Sequence, residues 1–121
     1  MDELFSIKMF DDHGDEVSIS AERVDHPTDL KIQVDVTHGT ATSSASITLG
    51  QQIVIDPATG VCLAICAVKA ITDAVWDCQD DLKKNKGRDP SADEVWDCAK
   101  KKSTGITKDI VFCVLGCLGG P

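Results

Sequence analysis

Alternation of apolar and polar side chains in the first half of the chain predicts an antiparallel sheet with one apolar face. Leu30, Ile32, Val34 and Val36 alternate with polar residues at a period of two, which is typical of a strand with one face in water. Four segments predict strands in this way, with a short fifth after them: 5–9, 17–21, 30–37, 40–49 and 51–55. Such an apolar face has to pack on another layer, and the second half of the chain is the available partner.

Turn residues separate these segments. Asp11–Asp15 predicts a hairpin turn between the first two strands, and His38-Gly39 predicts a turn into the fourth. The three histidines all fall at turns: His13, His26 and His38. A metal site built from their imidazoles is one interpretation, and we favour the alternative that they are surface residues of turns.

A helical period begins after residue 60. Apolar residues from Leu63 to Leu82 recur at spacings of three and four, which predicts one helix over Val61–Asn85. A second, weaker apolar side of this helix carries four residues: Cys62, Ile65, Cys66 and Trp76. A helix that is apolar on two sides is expected to lie between neighbours.

Two further helices are predicted downstream. Ser91–Glu94 forms a capping box just after Pro90 and begins a second helix that runs to about Lys102. Ser103–Gly105 is expected to interrupt the chain before a last helix over Lys108–Leu118. The predicted fold class is therefore α+β, with a β-meander of four or five strands packed on a disulfide-stapled helical hairpin of three helices.

The cysteines all lie in the second half, and their order is palindromic. Two CxxxC pairs flank two single cysteines: Cys62, Cys66, Cys78, Cys98, Cys113 and Cys117. Cysteines at matched heights in an antiparallel helical hairpin predict one pairing among the 15 that six cysteines allow. The predicted bridges are Cys78–Cys98, Cys66–Cys113 and Cys62–Cys117. Because Cys78 lies about 120–160° around the first helix from the CxxxC pair, the second and third helices must contact different sides of it.

A short repeat places a tryptophan near each inner cysteine. Asp73–Cys78 and Asp93–Cys98 agree at five of six positions. The repeat predicts that Trp76 and Trp96 are core or interface anchors beside the Cys78–Cys98 bridge. Paired repeats would also bring together Asp73, Asp77, Asp93 and Asp97 as a possible cation site. A solvated surface that mixes aspartates with lysines at i, i+4 is the better interpretation.

The twin CxxxC motifs resemble those of plant α-hairpinin defence peptides, which are stapled helical hairpins. The resemblance covers residues 62–117. The chain departs from that pattern in the longer spacing between the motifs and in the two cysteines between them. We interpret the resemblance as a shared physical solution, in which bridges at matched heights fasten two helices.

Charge divides the chain where the cysteines begin. Residues 1–60 carry eleven acidic and three basic side chains, whereas residues 61–121 carry nine of each, so the net charge of −8 belongs to the first half. We interpret 1–60 as an acidic, cysteine-free, β-rich segment and 61–121 as a cysteine-rich helical segment, joined at Asp56–Gly60. The acidity argues against nucleic acid as a partner. The longest apolar stretch, Ile110–Gly120, is too short to cross a bilayer, so an integral membrane protein is not expected.

Two indications of the protein's compartment conflict. Met1–Leu4 has no basic segment and no apolar run after it, so a general secretory signal is not predicted. Six cysteines in a small chain favour an oxidising environment. We therefore expect secretion by another route, and otherwise a cytoplasmic location.

Three function hypotheses follow. The first is an exported, disulfide-stapled effector of a bacteriocin-like or toxin-like kind, in which residues 1–60 are a leader or protective segment and the apolar last helix contacts a membrane or protein target. The second is a non-catalytic binding or structural protein with both halves in one fold. The third is a protein that holds Cu(I), or less favourably Zn(II), between the two CxxxC pairs. An enzyme is not expected, since these residues do not suggest a base, a nucleophile and an oxyanion site together.

Overall fold

The strands and helices follow one another in the predicted order. The computed structural model describes residues 2–24, 30–48, 54–55 and 61–119. The strands are β1 (Glu3–Phe10), β2 (Glu16–Val24), β3 (Lys31–His38), β4 (Ala41–Thr48) and β5 (Val54–Ile55). The helices are α1 (Val61–Lys86), α2 (Ala92–Lys101) and α3 (Ser103–Gly119). The predicted α+β class, with a meander followed by a stapled helical hairpin, is confirmed.

The strands form one antiparallel sheet in sequence order, in which each strand pairs with the next. In the β2–β3 pair, Ile19 lies opposite Val36 and Ala21 lies opposite Val34, and all four side chains are buried. The alternate residue Ser20 remains partly exposed. A slip of one residue would move the whole apolar set into water, so this alternation fixes the register.

An irregularity in β1 explains why two consecutive residues of this strand are buried. The pairing with β2 shifts between Glu3 and Phe5. A bulge of this kind inserts one extra residue into a strand. As a result, Leu4 and Phe5 are each only 6% exposed. The alternation that begins at Phe5 did not predict the burial of Leu4.

Two tight turns join the first strands as predicted. At the β1–β2 turn, the Asp11 carboxylate accepts hydrogen bonds from the backbone N–H groups of His13 and Asp15, each at 2.9 Å. Gly14 has a φ of 83° in this turn, and Gly39 has a φ of 64° between β3 and β4. Both angles lie in the left-handed region that glycine adopts without a steric penalty.

Helix α1 occupies the centre of the molecule. It contacts β3 and β4 of the sheet, and it also contacts α2 and α3. Its buried residues recur at the predicted helical spacing: Leu63, Ala64, Cys66, Ala67, Val68, Ile71, Ala74, Val75 and Cys78. The helix therefore lies between the sheet and the other two helices, but its predicted second apolar side is not fully covered, because Ile65 is 48% and Trp76 is 54% exposed.

Helix α3 begins at Ser103, five residues earlier than predicted. The predicted break between α2 and α3 is therefore in the wrong place. Ser103–Gly105 does not interrupt the chain but forms the first turn of α3. The direction changes at Lys102, whose backbone N–H donates to the carbonyls of Cys98 and Ala99 at 3.3 and 3.0 Å. Thr107, which directly precedes the predicted start of this helix, lies inside it, where its hydroxyl donates to the Thr104 carbonyl at 2.8 Å and so leaves the helix intact.

One apolar core joins the sheet to the helices. The buried cluster takes side chains from both halves of the chain, including Val17, Ile19, Ile32 and Val34 from the sheet and Ile71, Val95, Trp96, Ile110 and Val114 from the helices. The predicted junction at Asp56–Gly60 lies outside the described residues. Within the described residues, the two segments bury their apolar surfaces against each other.

Polar contacts at the edge of the core also link the β-rich segment to α2. The Trp96 indole N–H donates to the Asp2 carboxylate at 2.7 Å, and Lys100 donates to the same oxygen at 3.2 Å. These hydrogen bonds lower the pKa of Asp2, with that from Trp96 having the larger effect. Arg23 on β2 pairs with Asp93 on α2 at 2.7 Å. The start of the chain and the second strand are thus both tied to α2.

Glu94 fastens the α1–α2 turn. Its carboxylate accepts from the Ser91 backbone N–H at 3.0 Å, while the Ser91 hydroxyl accepts from the Glu94 N–H at 3.2 Å. This reciprocal arrangement is the predicted capping box. Lys86 and Arg88 also donate to the carboxylate. Together these donors, Lys86 first, lower the pKa of Glu94 from its usual 4.5 to about 2.

We expect the Glu94→Gln variant to lose a pH-dependent part of the protein's stability. A lowered pKa means that folding favours the ionised carboxylate, so its contribution is present above pH 4.5 and is lost as the pH falls through about 2. The contribution is measured as the difference in unfolding free energy between wild type and variant, obtained from urea unfolding at several pH values between 7 and 2. The wild type should be more stable than the variant at pH 7, and the two curves should converge near pH 2. A gap of constant size across this range would contradict the assignment.

Candidate functional site

The six cysteines form the three bridges that their palindromic order predicts. Cys62–Cys117, Cys66–Cys113 and Cys78–Cys98 have Cα–Cα distances of 6.0, 5.7 and 5.8 Å. The first two, which we call the twin bridges, join α1 to α3. Both can form side by side because residues at i and i+4 on each helix share one face. The third joins α1 to α2. The two partner helices therefore lie on different sides of α1, as the angle between Cys78 and the CxxxC pair requires.

The twin bridges bring their sulfur atoms into contact with each other. The Sγ atoms of Cys66 and Cys117, which belong to different bridges, lie 3.6 Å apart. The Sγ atoms of Cys62, Cys66 and Cys117 all lie within 4.8 Å of one another, and Cys113 is bonded to Cys66. Four sulfurs thus share one small volume at one end of the α1–α3 pair.

The third bridge is remote and enclosed. Cys78 lies twelve residues beyond Cys66 in α1, which corresponds to about 18 Å along the helix axis. Cys78 is 0% exposed, and Cys98 is half-buried. In the twin bridges, by contrast, Cys62 and Cys113 are both exposed. The three bridges therefore differ in their access to reagents in solution.

The outer face of α3 carries exposed apolar side chains. Phe112 is 68% exposed and Leu115 is 53% exposed. With Thr104, Lys108 and Val111 they form a strip about 100–200° around the helix from the buried Ile110. This outer strip (Thr104, Lys108, Val111, Phe112 and Leu115) lies opposite the side of α3 that enters the core. The helix is apolar on both sides, but the described part of the chain covers only one of them.

The segment that contains the outer strip is rich in lysine. From Lys100 to Gly119 the chain has four lysines and one aspartate. Lys101 and Lys108 are exposed, whereas Lys100 is paired with Asp2. This end of an acidic protein is therefore locally basic.

Three aspartates line a cleft between α1 and α3. Asp73 and Asp77 of α1 face Asp109 of α3 there, and Lys102 also lines the cleft. The four-aspartate cation site suggested by the repeat does not form, because Asp93 turns towards the sheet and pairs with Arg23. The two copies of the repeat meet different neighbours, so sequence identity did not make their carboxylates converge.

His38 ties the β1–β2 turn to β3. Its Nε2 atom lies 2.7 Å from the Asp11 carboxylate, the same group that accepts from the turn's backbone. The hydrogen bond from His38 is the main reason that the pKa of Asp11 is lowered. Asp11, Asp15 and His38 are close enough to share a cation, but these hydrogen bonds already give Asp11 a structural role. His13 is exposed, and His26 lies outside the described residues.

The two tryptophans of the repeat have opposite environments. Trp96 is 1% exposed and is one of the largest buried side chains. Trp76 is 54% exposed on α1, so its prediction as a core anchor is wrong, and its role as an interface anchor stays a prediction. Residue 76 lies on the side of α1 that neither the sheet nor the other helices cover. Asp2 was not predicted as the partner of Trp96, since the two residues are far apart in the chain.

Comparison of the chain with protein-family models, with curated proteins and with solved structures finds no match. Among the described residues, no helix combines the length and the apolar character needed to cross a membrane.

We expect mild reduction of the folded protein to open the twin bridges before the Cys78–Cys98 bridge. A reductant has to reach a sulfur atom in order to attack it, and Cys62 and Cys113 are exposed while Cys78 is fully buried. Alkylation after graded exposure to a dithiol, followed by peptide mass mapping, measures the order. Labels should appear first on the four outer cysteines. Early labelling of Cys78 and Cys98 would contradict this order.

Proposed function

We propose that the whole chain is a non-catalytic, disulfide-stapled binding protein of an oxidising compartment, and that it acts by placing the outer strip of α3 on an anionic lipid surface. The observation that carries this proposal is the exposure of Phe112 and Leu115 on the side of α3 opposite the core. Isolated exposed apolar residues are ordinary, whereas a second apolar side on a fixed helix calls for a partner.

Core packing and disulfide bridges fix the rotation of α3, so the outer strip cannot turn towards the interior. Ile106, Ile110 and Val114 hold the other side of α3 in the core, each at most 3% exposed. The bridges at Cys113 and Cys117 fix the rotation of the helix against α1. Rotating α3 to bury Phe112 would expose these three residues and strain two covalent links. The strip therefore stays available to an external surface.

The chemistry of the strip suits a lipid interface. Helices that lie in the plane of a membrane combine aromatic and aliphatic side chains on one face with lysines at its margin. Phe112, Leu115 and Val111 provide the first, and Lys108 provides the second. Each lysine near an anionic leaflet contributes about 1 kcal/mol. This helix would lie on the surface rather than span it.

The shared core supports retention of residues 1–60 in the active protein. The precursor hypothesis requires their removal, which would take β3 and β4 away from α1 and expose part of a core to which both halves contribute. It would also remove Asp2 from the indole of Trp96. Effector-like activity on a membrane is therefore proposed for the full chain. Three bridges favour an oxidising compartment, because thiols are kept reduced in most cytosols.

We expect the Phe112→Ser/Leu115→Ser variant to bind anionic vesicles at least roughly 100-fold more weakly than the wild type, since a buried large apolar side chain contributes about 1.5–3 kcal/mol. Co-sedimentation with vesicles that contain phosphatidylserine measures the binding. Phe10→Ser is the matched control, because Phe10 is an equally exposed phenylalanine, 65% exposed, that belongs to β1 and not to the outer strip, and this variant should bind normally.

Charge is tested separately with Lys108→Glu. This variant should bind anionic vesicles more weakly, and the wild type should prefer them to vesicles of neutral phosphatidylcholine. Absence of binding to either vesicle by the oxidised, full-length protein would overturn the lipid proposal. Equal loss of binding in the Phe10 and Phe112/Leu115 variants would show that α3 is not the contact surface.

A further inference from the structure

The four sulfurs of the twin bridges form a preorganised cluster in two CxxxC pairs. Cys62 and Cys66 project from one face of α1, and Cys113 and Cys117 project from the facing side of α3. The bridges link them in two pairs, and the Cys66 and Cys117 sulfurs, one from each pair, lie 3.6 Å apart. We call these four residues the sulfur quartet.

From this geometry we propose that the sulfur quartet, once both twin bridges are reduced, binds one soft metal ion, with Cu(I) preferred. Each bridge takes two electrons and two protons from a dithiol reductant, which is itself oxidised to a disulfide. The four resulting thiols then release protons to solvent as their sulfurs bind the metal. This inference does not depend on the lipid-binding proposal.

The distances suit a single ion. A tetrahedral ion with metal–sulfur bonds of about 2.3 Å requires sulfurs about 3.8 Å apart. The Cys66 and Cys117 sulfurs already lie at 3.6 Å. The two sulfurs of each bridge have to separate to the same distance, and the Cys113 sulfur, which lies outside the group of three within 4.8 Å, has to move towards the others. Since the Cα atoms of each pair are 6.0 and 5.7 Å apart, side-chain rotation provides this movement without displacing the helices.

The rest of the fold would hold the quartet in place after reduction. The buried Cys78–Cys98 bridge continues to link α1 to α2, far from the quartet. Ile110 and Val114, both 0% exposed, keep α3 in the core. The metal would therefore meet a site that is already assembled, which lowers the entropic cost of binding.

Cu(I) is preferred for reasons of ligand type. The quartet offers only thiolates, which are soft ligands that select Cu(I), Zn(II) and iron–sulfur clusters over harder ions such as Mg²⁺, so the choice of Cu(I) over Zn(II) rests on the spacing of the ligands. Each pair has i, i+4 spacing on a helix rather than the short C-x-x-C knuckle that is common in structural zinc sites. Cys66 is 3% exposed, so one ligand is largely shielded from water and from oxidants.

The test uses full-length protein in which a limited amount of dithiol has opened the twin bridges. Under anaerobic conditions, Cu(I) supplied as its acetonitrile complex is titrated against a chromogenic Cu(I) chelator. We expect one tightly held ion per chain by native mass spectrometry, and sulfur-only coordination by X-ray absorption. Protein reduced in the same way and then alkylated is the control, and it should hold no Cu(I) against the chelator.

Two double variants test the ligands: Cys62→Ser/Cys117→Ser and Cys66→Ser/Cys113→Ser. Each keeps two of the four sulfurs and should lose affinity for Cu(I) by more than roughly 100-fold, the upper range for loss of a merely supporting group. The Ser18→Ala variant, on the partly exposed face of β2, keeps all six cysteines and should retain binding.

Several results would overturn the proposal. Retention of Cu(I) by the alkylated protein would place the metal elsewhere. Failure of the reduced wild type to compete with the chelator would show that the quartet does not bind Cu(I). The same conclusion would follow if reduction abolished the helical circular dichroism and Cu(I) did not restore it. Displacement of Cu(I) by an equal concentration of Zn(II) would overturn the stated preference.

Discussion

The double packing of α1 is the constraint on which the rest of the structure depends. This helix packs on β3 and β4 of the sheet, and Ala67 and Ile71 in it are completely buried. Its other contacts are with α2 and α3, to which three disulfides fasten it. Neither layer is sufficient alone, because a sheet with one apolar face needs a cover and a small helical hairpin gains much of its stability from bridges. The two halves differ in charge and cysteine content, but they are joined by this one helix.

The same constraint determines what the surface offers. Since Ile110 and Val114 enter the core beside α1, the opposite side of α3 must face outward with Phe112 and Leu115. Since the CxxxC pairs lock α3 against α1 at one end, four sulfurs gather there. The proposed lipid contact and the proposed thiolate site are therefore both consequences of how α3 is held. They lie on different sides of that helix and can be tested independently.

Much of this architecture was predictable because its signals are local or symmetric. Period-two alternation identified the strands, the capping box at Ser91–Glu94 identified the start of α2, and palindromic spacing predicted the pairing of the cysteines. Contacts between distant residues carried no such signal. Nothing near Asp2 indicates that it meets Trp96, and nothing in the repeat distinguishes buried Trp96 from exposed Trp76. The start of α3 was misplaced because Ser103–Gly105 is composed like a loop, whereas the change of direction occurs at Lys102 through backbone hydrogen bonds.

The most direct test of the single shared core is urea unfolding of the oxidised Ile19→Ala variant, followed by tryptophan fluorescence. Ile19 lies in β2 and is fully buried, whereas both tryptophans lie in helices, so the probe reports on the half that carries no mutation. We predict that the fluorescence transition of the variant moves to lower urea, which corresponds to a loss of about 2–5 kcal/mol of unfolding free energy. This transition should coincide with the one measured by circular dichroism. The control variant Ser18→Ala, on the open face of the sheet, should unfold at nearly the wild-type midpoint. A fluorescence transition that stays at the wild-type midpoint while the sheet unfolds earlier would contradict the account.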